Sequence, residues 1–183
     1  MTKYAKIMAT FGVLAGLGVA SLPLATFAAN NSETTVKVTV QEGISIANDN
    51  ATADAGNKTP GEAGSATSNL TAATNNAAGL KITVKDKDED TSLRSASFTA
   101  PTTPVAGVDF IPTAASGVGT WSLKGGDLTV DTAMVKNSET ALVVKNTSSA
   151  STEHVPVTYR IEPGTSQRQG TYEDVIVYTV TKN

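Results

Sequence analysis

The chain has 183 residues, with 14 basic and 17 acidic side chains, one histidine and no cysteine. Without a thiol and with a single imidazole, most nucleophile–base pairs and most zinc sites cannot be assembled. The acidic balance also disfavours a nucleic-acid partner, whose phosphates call for a basic surface.

Lys3 and Lys6 precede an apolar run over 7–24, broken by Gly12, Gly16 and Gly18, with Pro23 near its end and Ala25, Thr26, Ala28 and Ala29 behind it. This basic, apolar, small-residue order predicts a secretory signal peptide over 1–28, with Ala28 or Ala29 as the last residue removed. An uncleaved anchor is the competing reading, because the run approaches the roughly 18 residues at which spanning becomes plausible. The small residues behind the run favour cleavage. No cysteine follows to carry a lipid, and neither a second membrane helix nor a sorting tail is expected after the last strand. Removing the leader leaves 12 basic against 17 acidic side chains, a formal charge of −5. The remaining 29–183, about 155 residues, suffices for one domain with one core, and that core must hold without disulfides.

Val36, Val38 and Val40 alternate with Thr35, Lys37 and Thr39, which predicts a half-buried first strand over 34–41 that Ile44 and Ile46 continue. The segment 47–65 has no large apolar residue and is expected to be a mobile surface loop, since it cannot bury enough to offset its ordering entropy. A weak strand over 68–74, turn residues Asn75, Asn76 and Gly79, and a stronger strand over 80–85 with Leu80, Ile82 and Val84 inward read as a hairpin. After the acidic tip of Asp86, Asp88, Glu89 and Asp90, an extended piece over 93–99 leads into a loop over 101–119, where Val108, Phe110 and Ile111 could plug the core. Short strands over 119–123, 127–135 and 140–145 follow.

The closing region is the strongest pattern in the chain. Val155, Val157, Tyr159 and Ile161 alternate with polar neighbours; after Pro163-Gly164, a second strand places Tyr172, Ile176, Tyr178 and Val180 on one face and Val175 and Val177 on the other. The two are expected to pair as a terminal hairpin that centres the stability of the domain, its last strand buried on both faces near the middle. In all, eight or nine short strands with turn signals every 8 to 12 residues predict an all-β fold, an immunoglobulin-like antiparallel β-sandwich.

Little of the inventory carries chemistry. His154, beside Glu153 at a strand start, is read as a surface histidine, and no Gly-x-Ser-x-Gly setting exists. The protein is expected not to be an enzyme and to need no cofactor. Asp86, Asp88 and Asp90 have the spacing at which alternate carboxylates can face calcium, but Thr91 stands where a calcium loop needs Gly and Ser97 where it needs Glu. A solvated turn is the preferred reading, with calcium the alternative.

The run Asn75-Asn76-Ala77-Ala78-Gly79-Leu80-Lys81-Ile82, followed by the acidic tip and Leu93, then Trp121-Ser122-Leu123, then Gly170-Thr171-Tyr172 with Ile176 and Tyr178, resembles secreted bacterial surface proteins with WxL-like β-sandwich domains. Where that family has a second Trp-x-Leu, this chain has Val177-Tyr178-Thr179-Val180. The closing strand also resembles those of fimbrial and spore-coat subunits. The resemblance implies a secreted or cell-surface bacterial protein that attaches to a cell-wall polymer or assembles with other surface proteins, with Trp121 and Leu123 as the WxL-like pair. The structural reading of Trp121, a core aromatic between two sheets, is preferred to a wall-binding one. A monomeric, structural or adhesive protein with no membrane attachment after cleavage is the first expectation. A pilus subunit that polymerises by adding the Val36-Val38-Val40 strand to a neighbour is the second.

Overall fold

The computed structural model describes residues 34–97 and 103–183. The expected leader, with Ala28 and Ala29, lies outside the described residues, as does the end of the extended piece over 93–99. By its internal contacts the chain divides into 1–39 and 40–183. In the first unit the described residues 34–39 form no strand.

The second unit is all-β. Its strands are β1 (Ile44–Asn48), β2 (Gly64–Thr74), β3 (Leu80–Asp86), β4 (Leu93–Arg94), β5 (Phe110–Ile111), β6 (Thr120–Gly125), β7 (Leu128–Thr132), β8 (Leu142–Asn146), β9 (Ser151–Glu162) and β10 (Ile176–Lys182). They form a five-stranded sheet ordered β1-β2-β9-β6-β7, a three-stranded sheet ordered β10-β3-β8, and a small β4-β5 ribbon; every pairing is antiparallel. The predicted antiparallel sandwich is the fold observed. Among the described residues no helix is long and apolar enough to cross a membrane.

The core follows from the two-residue period of the strands. Ser68, Leu70, Ala72 and Thr74 of β2 face inward beside Val155, Val157 and Tyr159 of β9, while Leu80, Ile82 and Val84 of β3 and Val144 of β8 come from the other sheet. The ladder between β2 and β9 is the longest, running from Gly64 opposite Ile161 to Thr74 opposite Ser151. Trp121 and Leu123 of β6, Ile111 of β5, Leu93 of β4 and Met134 complete the cluster. At the β6–β7 turn Gly126 has a positive φ of 56°, and a side chain there would collide with the Val144 carbonyl, so glycine is required on both counts.

Four expectations fail. Val36, Val38 and Val40 are not half-buried: they are 91, 84 and 78% exposed, and the first strand is Ile44–Asn48 instead. Alternation there has no sheet face to bury. β2 and β3 are not a hairpin, because the turn at 75–79 carries the chain from the five-stranded sheet to the three-stranded one. The closing hairpin fails for the same reason: β9 lies in the middle of the larger sheet, β10 at the edge of the smaller. The two meet across the core, where the Tyr159 and Tyr178 hydroxyls hydrogen-bond at 2.6 Å. Val175 and Val177 are exposed, so β10 buries one face only.

Candidate functional site

A groove of about 700 Å³ lies between the segment 53–60 and the arch 163–172 that leads from β9 toward β10, with Leu93, Ile111 and Ile161 at its base. One wall is the stretch expected to be mobile. The strands flanking it reach further than expected, β1 to Asn48 and β2 back to Gly64, leaving a connection over 49–63. That connection is held by its own polar side chains. The Asp49 carboxylate accepts from the Asn69 backbone N–H at 2.8 Å and from its Nδ2 at 2.7 Å, and these bonds lower its pKa. Asn48, Asn50 and Asp54 each accept from the N–H two residues on, and Glu62 accepts from the Thr59 N–H and hydroxyl. Such Asx turns satisfy backbone groups that apolar burial would otherwise have to protect. The segment's polar side chains thus take the place of apolar burial in pairing its backbone, and the Gly61 N–H bonds the Pro163 carbonyl at 3.0 Å, joining wall to wall.

The opposite wall is braced from beneath. The Arg168 N–H and Gln167 Nε2 both donate to the Val108 carbonyl at 3.0 Å, and the Tyr172 hydroxyl donates to the Arg168 carbonyl at 2.8 Å. Arg168 Nη1 lies 2.9 Å from the carboxylate of Asp109, a buried residue whose other oxygen accepts the Val105 N–H. Gly164 passes so close to Gly107 that any side chain at 164 would strike the Gly107 carbonyl. Of the three residues expected to plug the core from the 101–119 loop, Ile111 does so. Phe110 is half-buried under Arg94, whose guanidinium carbon is 4.4 Å from the ring centroid, and Val108 serves through its carbonyl. The groove thus combines an apolar base with a rim of amides and charges, a surface that can recognise a polar chain while excluding part of its water.

The acidic tip separates into different roles. Asp86, Asp88 and Asp90 each accept the backbone N–H two residues ahead, at 2.8, 2.7 and 3.2 Å, so the alternate spacing builds three successive Asx turns. Asp90 is further claimed by Arg94 at 2.6 Å; although burial acts to raise its pKa, the bonds to Arg94 and Ser92 leave it lowered. Glu89 holds the Ser138 N–H and hydroxyl. Asp86 departs from the solvated turn expected: it ends β3 on the inward side and is fully buried. Facing it is Asp174, which the sequence reading missed. Burial first, then a side-chain bond with Asp86 and the charges of Asp86 and Asp88, push the Asp174 carboxyl up to about 8. No three His, Cys, Asp or Glu side chains among the described residues converge as a ready-made metal cage.

Trp121 and Leu123 are core residues, 3 and 0% exposed, and the Trp121 indole N–H donates to the Thr91 carbonyl at 2.8 Å, anchoring the end of the acidic turn. His154 is the fourth residue of β9, exposed on the outer face, its Nδ1 3.1 Å from the hydroxyl of Thr71 across the ladder. No family model matches the sequence, and no curated protein matches it.

Proposed function

We propose that the protein is a secreted, non-catalytic binding protein of a bacterial cell surface, which holds a cell-wall polymer or a second surface protein in the groove between 53–60 and 163–172. The observation that carries this reading is the groove itself: two walls of polar loop fixed by bonds to the sandwich, above an apolar base. Such preformed polar loops bind without a large ordering cost. The predicted leader and the WxL-like sequence features add support for the location, while the burial of Trp121 and Leu123 shifts the expected contact surface from that pair to the groove. Asn57 and Gln169 stand exposed on opposite walls. A double Asn57→Ala, Gln169→Ala variant should lose at least about tenfold in cosedimentation with purified cell walls, a change of some 1.4 kcal/mol, while melting like the parent. Unchanged cosedimentation would remove the groove from the account.

A second reading, assembly by strand addition, is favoured by one specific observation. Val36, Val38 and Val40 keep a strand pattern with no ladder of their own, while β1, β7, β8 and β10 are sheet edges. Size-exclusion of the mature chain with and without residues 30–41 separates the two: a binding monomer elutes the same way in both forms, whereas a strand-adding subunit elutes as larger species only when the segment is present.

A further inference from the structure

Asp86 and Asp174 stand where the parity of their strands calls for apolar side chains. Asp86 is the last residue of β3, on its inward side and fully buried, and Asp174 lies two residues before Ile176, half-buried. Each carboxyl has one oxygen satisfied by backbone: Asp86 Oδ1 accepts the Asp88 N–H at 2.8 Å, and Asp174 Oδ1 accepts the Val175 N–H at 2.7 Å. The Oδ2 of each is buried with no donor among the described residues, and the two carboxyls lie within bonding reach of one another. Ionised, both are acceptors only; with one proton between them, one donates to the other. The charged groups on the surrounding elements do not replace that proton. Lys85 is bonded to the Asn137 carbonyl, Glu89 to Ser138, Arg94 of β4 to Asp90, and Glu139 accepts the Lys136 N–H. Among the described residues no lysine or arginine, Lys87 and Lys136 included, forms an ion pair with either carboxyl. Glu173 is exposed, and Asp88 adds a negative charge that acts on Asp174 in the same direction as that of Asp86.

We infer that Asp86 and Asp174 share one proton, and that this proton is a latch on the edge strand β10: with it the carboxyls bond across the end of the ladder, and once it has left to water two facing charges push the start of β10 from β3. The backbone on either side of Asp174 is pinned, Glu173 and Arg94 exchanging two bonds at 2.9 Å and the Val175 carbonyl accepting the Lys87 N–H at 2.9 Å. Repulsion between the carboxyls therefore bears on the pairing itself, which has Asp86 opposite Ile176. Asp174 is the member that keeps the proton: burial first, then the bond with Asp86 and the charges of Asp86 and Asp88, push its carboxyl up to about 8. A folded value above the ordinary one gives stability that is complete below the ordinary carboxylate range and is lost as pH rises to about 8. Asp49 and Asp90, whose values are lowered, act the other way and lose their contribution only as pH falls into the acid range.

The test follows thermal melting of the mature chain from pH 5 to 9, with the side-chain carboxyl carbons and backbone amides read by NMR. The parent should melt roughly 5 °C lower at pH 8 than at pH 5 and level off above. One aspartate carboxyl should titrate near pH 8, and the amides of Ile176 and Val177 should shift with it while those of Val155 and Val157 in β9 stay in place. Asp174→Asn gives Asp86 a permanent N–H donor, and Asp86→Asn does the same for Asp174, so both variants should melt alike across this range. His154→Gln, which removes the one histidine, should fall as the parent does. A parent whose melting is level or rises from pH 5 to 8 overturns the proposal, as does a fall that survives in Asp174→Asn or vanishes in His154→Gln. If neither aspartate variant folds, the parent's carboxyl signals decide: every aspartate titrating below pH 6 overturns the shared proton, and one titrating near pH 8 together with Ile176 and Val177 upholds it.

Discussion

β9 and β10 have similar sequences, each an alternation of Val, Ile, Tyr and Thr, and the fold uses them in opposite ways. β9 has neighbours on both sides, β2 and β6, and buries Val155 and Val157 almost completely. β10 has one neighbour, β3, and its inward Ile176, Tyr178 and Val180 are only half-buried while Val177 on the outer face is 39% exposed. Position in the sheet, rather than the side chains themselves, decides what each residue contributes.

Truncation should expose this contrast most strongly. Val157→Ala, at a site with no exposure, should cost about 2–3 kcal/mol in urea-monitored unfolding, through lost burial and a cavity that two flanking strands prevent from closing. Ile176→Ala removes more carbon but from a half-buried edge position, and should cost about 1–2 kcal/mol. If Ile176→Ala proves the costlier, the edge strand is the real centre of stability. Tyr178→Phe sharpens the comparison at the one bond that joins the two strands: it leaves the buried Tyr159 hydroxyl without that partner, for about 1 kcal/mol. Burial raises both tyrosine pKa values above the usual range, and Tyr178 is raised further by the neighbouring Tyr159. Neither should therefore ionise below the pH at which a free tyrosine does, which ultraviolet titration will read. Smallest of all, Val177→Ala on the outer face should change stability by less than about 0.5 kcal/mol, against the several-fold larger loss for the same substitution at Val157.

What could be read from the sequence was local. The parity of Leu80, Ile82 and Val84 gave the inward face of β3, and that of Val155, Val157 and Tyr159 gave the inward face of β9; both agree with the structure. The partner of each strand was not readable. Asn75, Asn76 and Gly79 announce a reversal, as do Pro163 and Gly164, but a reversal can return a chain along the same sheet or carry it about 10 Å to the facing one, and turn residues do not distinguish these. The same parity rule, carried one step further, would have found the acid pair. Asp86 is the next inward position after Val84, and Asp174 precedes Ile176 by two, so both carboxyls sit where an apolar residue belongs. The groove was harder to foresee, since its walls are loops whose order comes from Asx turns and distant carbonyls rather than from any periodic signal.

The ladder that centres the larger sheet joins a strand from the first half of the chain to one from its last third, and β3 likewise takes one of its two neighbours from the final residues, 176–182. A ribosome delivering this chain from the N-terminus produces β2 with only the short β1 beside it, and the long ladder waits until Glu162 has emerged. Contacts so far apart in sequence are slow to form. Neither the long ladder nor the pairing of β3 with β10 can form before residues 151–162 and 176–182 have been made, so β2 and β3 wait for these partners through much of synthesis.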